Sequence, residues 1–383
     1  MGEFFGYPEL DLWLPPIIAF IAVLAIIPTA RELAISFRLV DHPDDERKHH
    51  DDEVPLIGGL VIFPVFMICG MFAGLDFLAY WPLFVALSMI LVTGAMDDRF
   101  HINAWVRFFI QFAAAALVVI MGDAKLYHLG NLFGFGNFGL GWMATPFSIV
   151  AMVLFINAIN LMDGLDGLAA GKSAVGLGWL MLACAIAGHW PPFFAIAILM
   201  ACILGFLFYN MRHPFRSKAS IFLGDAGSLS LGLILGWYCI GLARDPDPAV
   251  VPITIAWIIA LPVIDACGQF FRRVKEGRHP FDADRGHFHH HFVHAGIPIG
   301  KSTAMILAWG FVLGAIGYGG IYYGVPQPVL TVLWIALLFS HIAVSYKPRL
   351  FIEFLSRFGA EPEDLGIDED AQNDDDEEKS GDP

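Results

Sequence analysis

At 383 residues, 57% apolar and with a mean hydropathy of +0.64, the chain is too hydrophobic for a water-soluble globule. Its net charge of −15 argues against nucleic-acid partners and against attraction to anionic lipid. Five cysteines without a CxxC pair exclude a disulfide framework and a thiolate metal site, and read as small buried apolar residues.

The first eleven residues, up to Asp11, are acidic and contain no basic n-region, so the first apolar run reads as a span and not as a cleaved signal. Apolar runs then follow at 12–30, 57–73, 83–95, 105–121, 147–160, 168–187, 192–209, 228–242, 250–271, 303–323 and 329–346. A spanning helix needs ~20 such residues, so the expected fold is an all-α polytopic membrane protein of about eleven spans. Residues 1–346 form the expected membrane domain. Residues 347–383 form an acidic cytoplasmic tail expected to be disordered, on the polar, aromatic-free composition from 361 onward.

The connections divide by charge. One set, including the N-terminus, holds only Lys125 and Arg244 as basic residues, whereas the other holds Arg47, Lys48, Arg99, Arg212, Arg216, Lys218, Arg272, Arg273, Lys275, Arg278, Arg285 and Lys301. The imbalance places the second set in the cytoplasm, the N-terminus outside and the tail inside. The polar clusters obey the same division. "DHPDDERKHHDDEVPLIGG", "MDDRFHIN", "NAINLMDGLDGL", "NMRHPFRSKASIFLGDAGS" and "RRVKEGRHPFDADRGHFHHHF" all fall on the cytoplasmic side. "GFGNFG" at 134–139 formally matches a dinucleotide fingerprint. It lacks the strand–turn–helix context, lies on the other face, and predicts a short hairpin.

Adjacent carboxylates at Asp97 and Asp98, where a helix leaves the membrane, repel unless a cation neutralises them. A charged helix end paired with Arg99 is the competing reading. Asp225, between glycines before a span, suits a metal ligand or a helix N-cap. Asn157, Asn160, Asp163 and Asp166 recur every third residue. Steps of three drift by about −60° on a helix, so the first three share a broad face. Gly164 and Gly167 are expected to end that helix. Oxygen donors without cysteine point to Mg²⁺, with Mn²⁺ as the alternative, bridging to phosphates. Arg47, Lys48, Arg272, Arg273, Arg278 and Arg285 supply positive charge on the same face, beside His287, His289, His290, His291 and His294. Zinc fits that histidine run poorly, because ligands so close in sequence rarely reach one tetrahedral ion. Imidazoles that meet phosphate or a nucleobase fit better. Asp265 is a lone intramembrane acid expected to bridge Arg272 on the same helix face. Together the clusters suggest phosphoryl transfer on a lipid. A transporter is the rival from another class, but its polar groups would sit near the midplane of repeated halves, and no repeat is visible.

From 41 to 292 the ordered motifs resemble those of the polyprenyl-phosphate N-acetylhexosamine-1-phosphate transferases. "PFDADRGHFHHHF" is similar to the PFxxDRxHxHH loop of the N-acetylglucosamine branch, and its histidine run is shared with the muramoyl-pentapeptide branch. The resemblance implies Mg²⁺-dependent transfer of GlcNAc-1-phosphate from UDP-GlcNAc to undecaprenyl phosphate. Undecaprenyl-diphospho-GlcNAc and UMP result, at the first step of a bacterial cell-envelope polysaccharide. Another UDP-HexNAc or UDP-MurNAc-pentapeptide is the alternative donor. It implies a bacterial inner-membrane enzyme with a cytoplasmic active site; a homodimer is a further expectation, and nucleic acid is not a partner. Asp97 and Asp98 match the family's catalytic pair. Asn157, Asn160, Asp163 and Asp166 match its NxxNxxDGxDG motif, with Asn160 and Asp225 assigned to metal. Asn157, Asp163, Asp166, Asn210, Arg285, His287, His289 and His290 are assigned to substrate, and Arg47, Lys48 and His50 to a phosphate-holding basic motif. Asp51 and Asp52 depart from the Gln-Gly-like pair common in the branch, placing negative charge beside Lys48. A phosphate monoester has a second pKa near ~6, so the acceptor barely needs a strong base. Asp97 as base, or the pair as positioning groups, both remain open.

Overall fold

The structure is a computed structural model that describes residues 10–41, 53–244, 248–278 and 286–359. Each of the eleven apolar runs is helical. α1 (Leu14–Ser36), α5 (Ala144–Leu161), α6 (Leu168–Ala187), α7 (Trp190–Asn210), α8 (Gly224–Leu242), α12 (Ile299–Tyr322) and α13 (Gln327–Tyr346) are long and apolar enough to cross a bilayer. α9 (Pro252–Ile258) and α10 (Ala260–Lys275) form one further run, bent by 74°. By length the described residues thus give seven spans, or eight with the bent pair, against the eleven expected. The shortfall has a physical origin. α2 (Gly58–Phe72) and α4 (Ala104–Ile120) are apolar but only 15 and 17 residues long. α3 (Trp81–Phe100) has 20 residues but ends in Asp97, Asp98 and Arg99.

α8 is the hub. Its side chains are buried along almost its whole length, and α2, α3, α5 and α6 pack around it. Small residues on α8 admit this close approach, which is how membrane helices associate without a hydrophobic drive between them. α1 pairs with α7, and α10 with α13, at the periphery. The outward faces of α1, α12 and α13 are apolar and exposed, which suits acyl chains. Cys69, Cys184, Cys202 and Cys239 are buried and Cys267 partly so, all as free thiols.

The break between α9 and α10 follows from Pro262, which has no N–H for the Ile258 carbonyl four residues back. The buried Lys172 of α6 donates to that carbonyl instead, at 2.8 Å. The Trp334 indole of α13 donates to the Ala256 carbonyl at 2.9 Å. Broken backbone inside a membrane protein is tolerated when neighbours satisfy it in this way.

At the end of the bundle where α1 stops, β1 (Val40–Asp41) pairs antiparallel with β2 (Val54–Pro55). Leu56 continues into a parallel bridge with Phe222, which sets the β1–β2 pair beside the start of α8. The short α11 (Phe288–His294) packs against α12 and against α14 (Pro348–Leu355). The stretch assigned to the tail therefore begins with a helix; residues after 359 lie outside the described residues. At the opposite end, the Leu129 amide donates to the Phe138 carbonyl and the Phe138 amide donates to the Gly130 carbonyl, each at 2.9 Å, forming the hairpin expected around "GFGNFG".

Candidate active site

Asp97 lies on the last turns of α3 and is buried; one oxygen accepts from the Ile102 amide at 2.7 Å. Its other oxygen is paired with Nη1 of Arg107 from α4. The same Nη1 reaches Oδ2 of Asp225 at 3.1 Å. One guanidinium nitrogen thus joins carboxylates from α3 and α8. Oδ1 of Asp225 accepts from Nδ2 of Asn160 at 2.8 Å, and that amide also donates to Ser228 Oγ at 2.9 Å.

Asp98 faces elsewhere. Its two oxygens accept from the amides of Asp225 at 2.8 Å and Ala226 at 3.2 Å, so it caps the N-terminus of α8 from a different helix. Gly224, at φ +73°, makes room: a Cβ there would stand 2.7 Å from Asp98 Oδ2. The expected N-cap and the expected carboxylate pair thus meet as one arrangement, with Asp98 rather than Asp225 as the cap. Arg99, the alternative partner for the pair, lies instead over the Phe100 ring.

The 162–167 turn after α5 carries Asp163 and Asp166. Asp163 is exposed to solvent on one side, with protein packed close around its carboxyl on the other. That surrounding protein, and then the like charges of Asp225, Asp98 and Asp166, push its carboxyl above the ordinary carboxylate range, to about 8. Asp166 instead accepts from Arg212 at 2.7 Å, and its carbonyl accepts from Thr303 at 3.0 Å. Asn210 is buried with its carbonyl on the Gly167 amide and its amide on the Ile221 carbonyl, each at 2.9 Å. It brackets the turn against the approach to α8. Asn157 sits one turn before Asn160 and donates to Gln111 of α4 at 2.7 Å.

The histidine run splits by role. His287 has both ring nitrogens engaged by protein, Nδ1 with Asp265 at 3.1 Å and Nε2 with Arg273 at 3.5 Å. His289 is 3% exposed, yet neither ring nitrogen has a partner among the described residues. Its ring lies directly against Gly164, where any side chain would collide with it, so the histidine run abuts the Asp163 turn. The His290 ring lies beside it, 4.2 Å between centroids and tilted by 44°. Burial, then the neighbouring imidazoles, pushes His289 down to about 3 and His290 to about 4, so both are uncharged near neutral pH. Buried His291 follows on the same short helix.

Asp97, Asp98, Asn160, Asp163 and Asp225 come together, with His289 at their edge. Asn157, Asp166, Asn210 and His287 hold the surrounding elements. Arg47, Lys48, His50 and Arg285, with Asp51 and Asp52, lie outside the described residues. The expected Asp265–Arg272 bridge is replaced: Asp265 takes His287, the Phe288 amide and His341 of α13. Sequence reasoning missed Arg107 and His341. Arg107 had a signal, as the one charged residue in the 105–121 run. His341 had a weaker one, a lone imidazole in an apolar span.

For a cation, the donors are hard oxygens from two helices already gathered around one positive group. Among the described residues no three His, Cys, Asp or Glu side chains enclose a metal. Mg²⁺ does not require such a cage, because it binds through one or two carboxylates plus substrate phosphates. The residues fit that mode.

The description "Glycosyl transferase family 4" matches residues 80–243, the stretch from α3 through α8. The chain is 31% identical to the undecaprenyl-phosphate alpha-N-acetylglucosaminyl 1-phosphate transferase of Salmonella typhi, over 88% of this chain and 93% of the relative. It is similar to the protein of that name from Escherichia coli (strain K12), 31% identical over 86% and 90% of the two chains. A probable undecaprenyl-phosphate N-acetylglucosaminyl 1-phosphate transferase of Bacillus subtilis (strain 168) is 35% identical over 77% and 81%.

Proposed function

The chain belongs to glycosyl transferase family 4, and from that membership we propose that it transfers GlcNAc-1-phosphate from UDP-GlcNAc to undecaprenyl phosphate. The products are undecaprenyl-diphospho-GlcNAc and UMP. The observation that carries the reading is the Asp97–Arg107–Asp225 cluster at one end of a membrane bundle, where a lipid phosphate and a water-borne nucleotide sugar can both arrive. The polar groups sit at helix ends and not at the midplane, which favours an interfacial enzyme over a transporter.

In this mechanism an oxygen of the acceptor phosphate forms a bond to the donor's β-phosphorus as the bond to the bridging oxygen breaks, and UMP leaves. Mg²⁺, when bound, supplies charge that draws the two phosphates together. Asp97 and Asp225 would hold it, with Asn160 orienting Asp225 through its amide. Arg107 supplies a second cationic group for developing phosphate charge. Asp98 fixes α8 relative to α3, which sets the spacing of the two carboxylates. The acceptor is largely ionised near neutral pH, so Asp97 serves chiefly to position. Arg47, Lys48, His50 and Arg285 are assigned to the donor phosphates, and His289 and His290 to the donor beside Asp163. The bracketing of Asn210 and Asp166 gives them an indirect part, through the turn they hold. The charge division of the loops supports a bacterial cytoplasmic membrane with the site facing the cytoplasm.

Radiolabelled UDP-sugar, undecaprenyl phosphate and Mg²⁺ with purified protein test this. Labelled diphospholipid should form from UDP-GlcNAc in preference to UDP-GalNAc or UDP-MurNAc-pentapeptide. Absence of product from all three would overturn the enzyme reading.

A further inference from the structure

α10 carries a polar stripe. Asp265, Gln269 and Arg273 are spaced by four, so they share one helix face. All three grip the segment leading into α11. Gln269 donates to the Gly286 carbonyl at 2.6 Å, Asp265 accepts from the Phe288 amide at 3.0 Å, and Arg273 meets His287. A carboxylate only accepts and a guanidinium only donates, so His287 carries its proton on Nδ1 and accepts at Nε2. Asp265 is 2% exposed, and its Oδ1 also faces Nε2 of His341 at 3.4 Å. His341 is itself buried on α13 and contacts the Phe288 ring, 5.2 Å between centroids. Two imidazoles and one amide therefore share a single buried carboxylate.

This network lies next to the imidazole that abuts Gly164. His289 follows His287 by two residues, and their rings are stacked 5.8 Å apart. His287 is thus the neighbour through which the Asp265 network adjoins the ring pressed against the Asp163 turn.

We propose that Asp265 and His341 are positioning residues for the transfer: they lock His287, and through it hold His289 against the Asp163–Gly164 turn, where the nucleotide-sugar donor is met. The inference rests on the transferase reading above. It assigns a part in donor binding to α13, the last of the apolar spans. In this reading the network supports the donor side alone, so the two substrates should respond differently when it is cut.

The test uses the full chain in nanodiscs. His341→Phe fills the same space without a hydrogen-bond donor, His341→Gln restores an N–H, and Asp265→Asn removes the shared charge. Steady-state kinetics for each substrate are read with hydrogen–deuterium exchange over 286–294. For His341→Phe and Asp265→Asn, donor KM should rise about tenfold, the loss of roughly one hydrogen bond. Undecaprenyl phosphate KM should hold, the Phe288 amide should exchange faster, and His341→Gln should recover most of both effects. Wild-type donor KM and wild-type exchange in His341→Phe would overturn the proposal, as would equal changes for both substrates. If the wild type transfers no sugar phosphate, the function reading fails on its own, and the exchange data still decide whether His341 holds the loop.

Discussion

Arg107 and Asp163 carry opposite charge problems in one cleft. Asp97 and Asp225 share the Arg107 guanidinium, so Arg107→Gln leaves two neighbouring carboxylates to repel each other. The variant should unfold at lower temperature in EDTA, and Mg²⁺ should raise its midpoint by more than it raises the wild type's, since a ligand stabilises the state that binds it. Turnover should fall roughly 100-fold, the scale of a lost charge-stabilising donor. Equal Mg²⁺ shifts in both proteins would count against a shared cation position. Asp163 behaves differently because its carboxyl is raised to about 8. The folded state then holds the proton more tightly than the unfolded chain, so stability falls as pH climbs from ~4 toward that value. Asp163→Asn should accordingly melt higher than the wild type at pH 8, with the gain gone at pH 4, while losing transfer activity. Melting curves across that range check the sign. The residue types of this site were readable from sequence because membrane spans rarely tolerate such groups. Their roles were not, because Asp98 acts on the backbone of α8 and Asn210 on two backbone groups, and spacing carries no information about partners 127, 43 or 11 residues away.

Among the elements, the bent α9–α10 run shows what apolar periodicity hides. The 250–271 run reads as one span, and Pro262 was the available sign of a break. What makes the break tolerable comes from α6 and α13, through Lys172 and Trp334. Trp334→Phe keeps an aromatic ring but leaves the Ala256 carbonyl without its donor. A buried unsatisfied acceptor costs about 1–3 kcal/mol, so reversible unfolding in mixed micelles should show a loss of that size. An unchanged unfolding free energy would mean the bend does not depend on the indole. The bend also has a functional consequence, since it sets the direction of α10 and hence where Asp265 holds the histidine run. The helices themselves were legible because each apolar run is bounded by polar or glycine-containing turns. The lengths of α2 and α4 were not, because residues flanking their apolar centres join the adjoining turns.

At the scale of the whole molecule, clusters more than a hundred residues apart meet because each returning span brings the chain back to the same face. The alternation of basic and non-basic loops made this legible without any contact being known. The contacts agree with it at both ends: Asp98 with α8 and His289 with the Asp163 turn at one, Arg244 with Asp123 and Gln327 with Asn131 at the other. Orientation in the membrane rests on charge alone and is open to direct measurement. Phe135 is 96% exposed in the hairpin on one face, and Phe215 is 92% exposed in the α7–α8 connection on the other. In a variant lacking the native cysteines, Phe135→Cys should react with a membrane-impermeant maleimide in intact spheroplasts. Phe215→Cys should react only after permeabilisation. The native thiols are all within or against spans, so replacing them with alanine should leave the surface loops in place. A reversed labelling pattern would put the carboxylate cluster outside, away from the cytoplasmic supply of nucleotide sugars, and the proposed reaction could not proceed there.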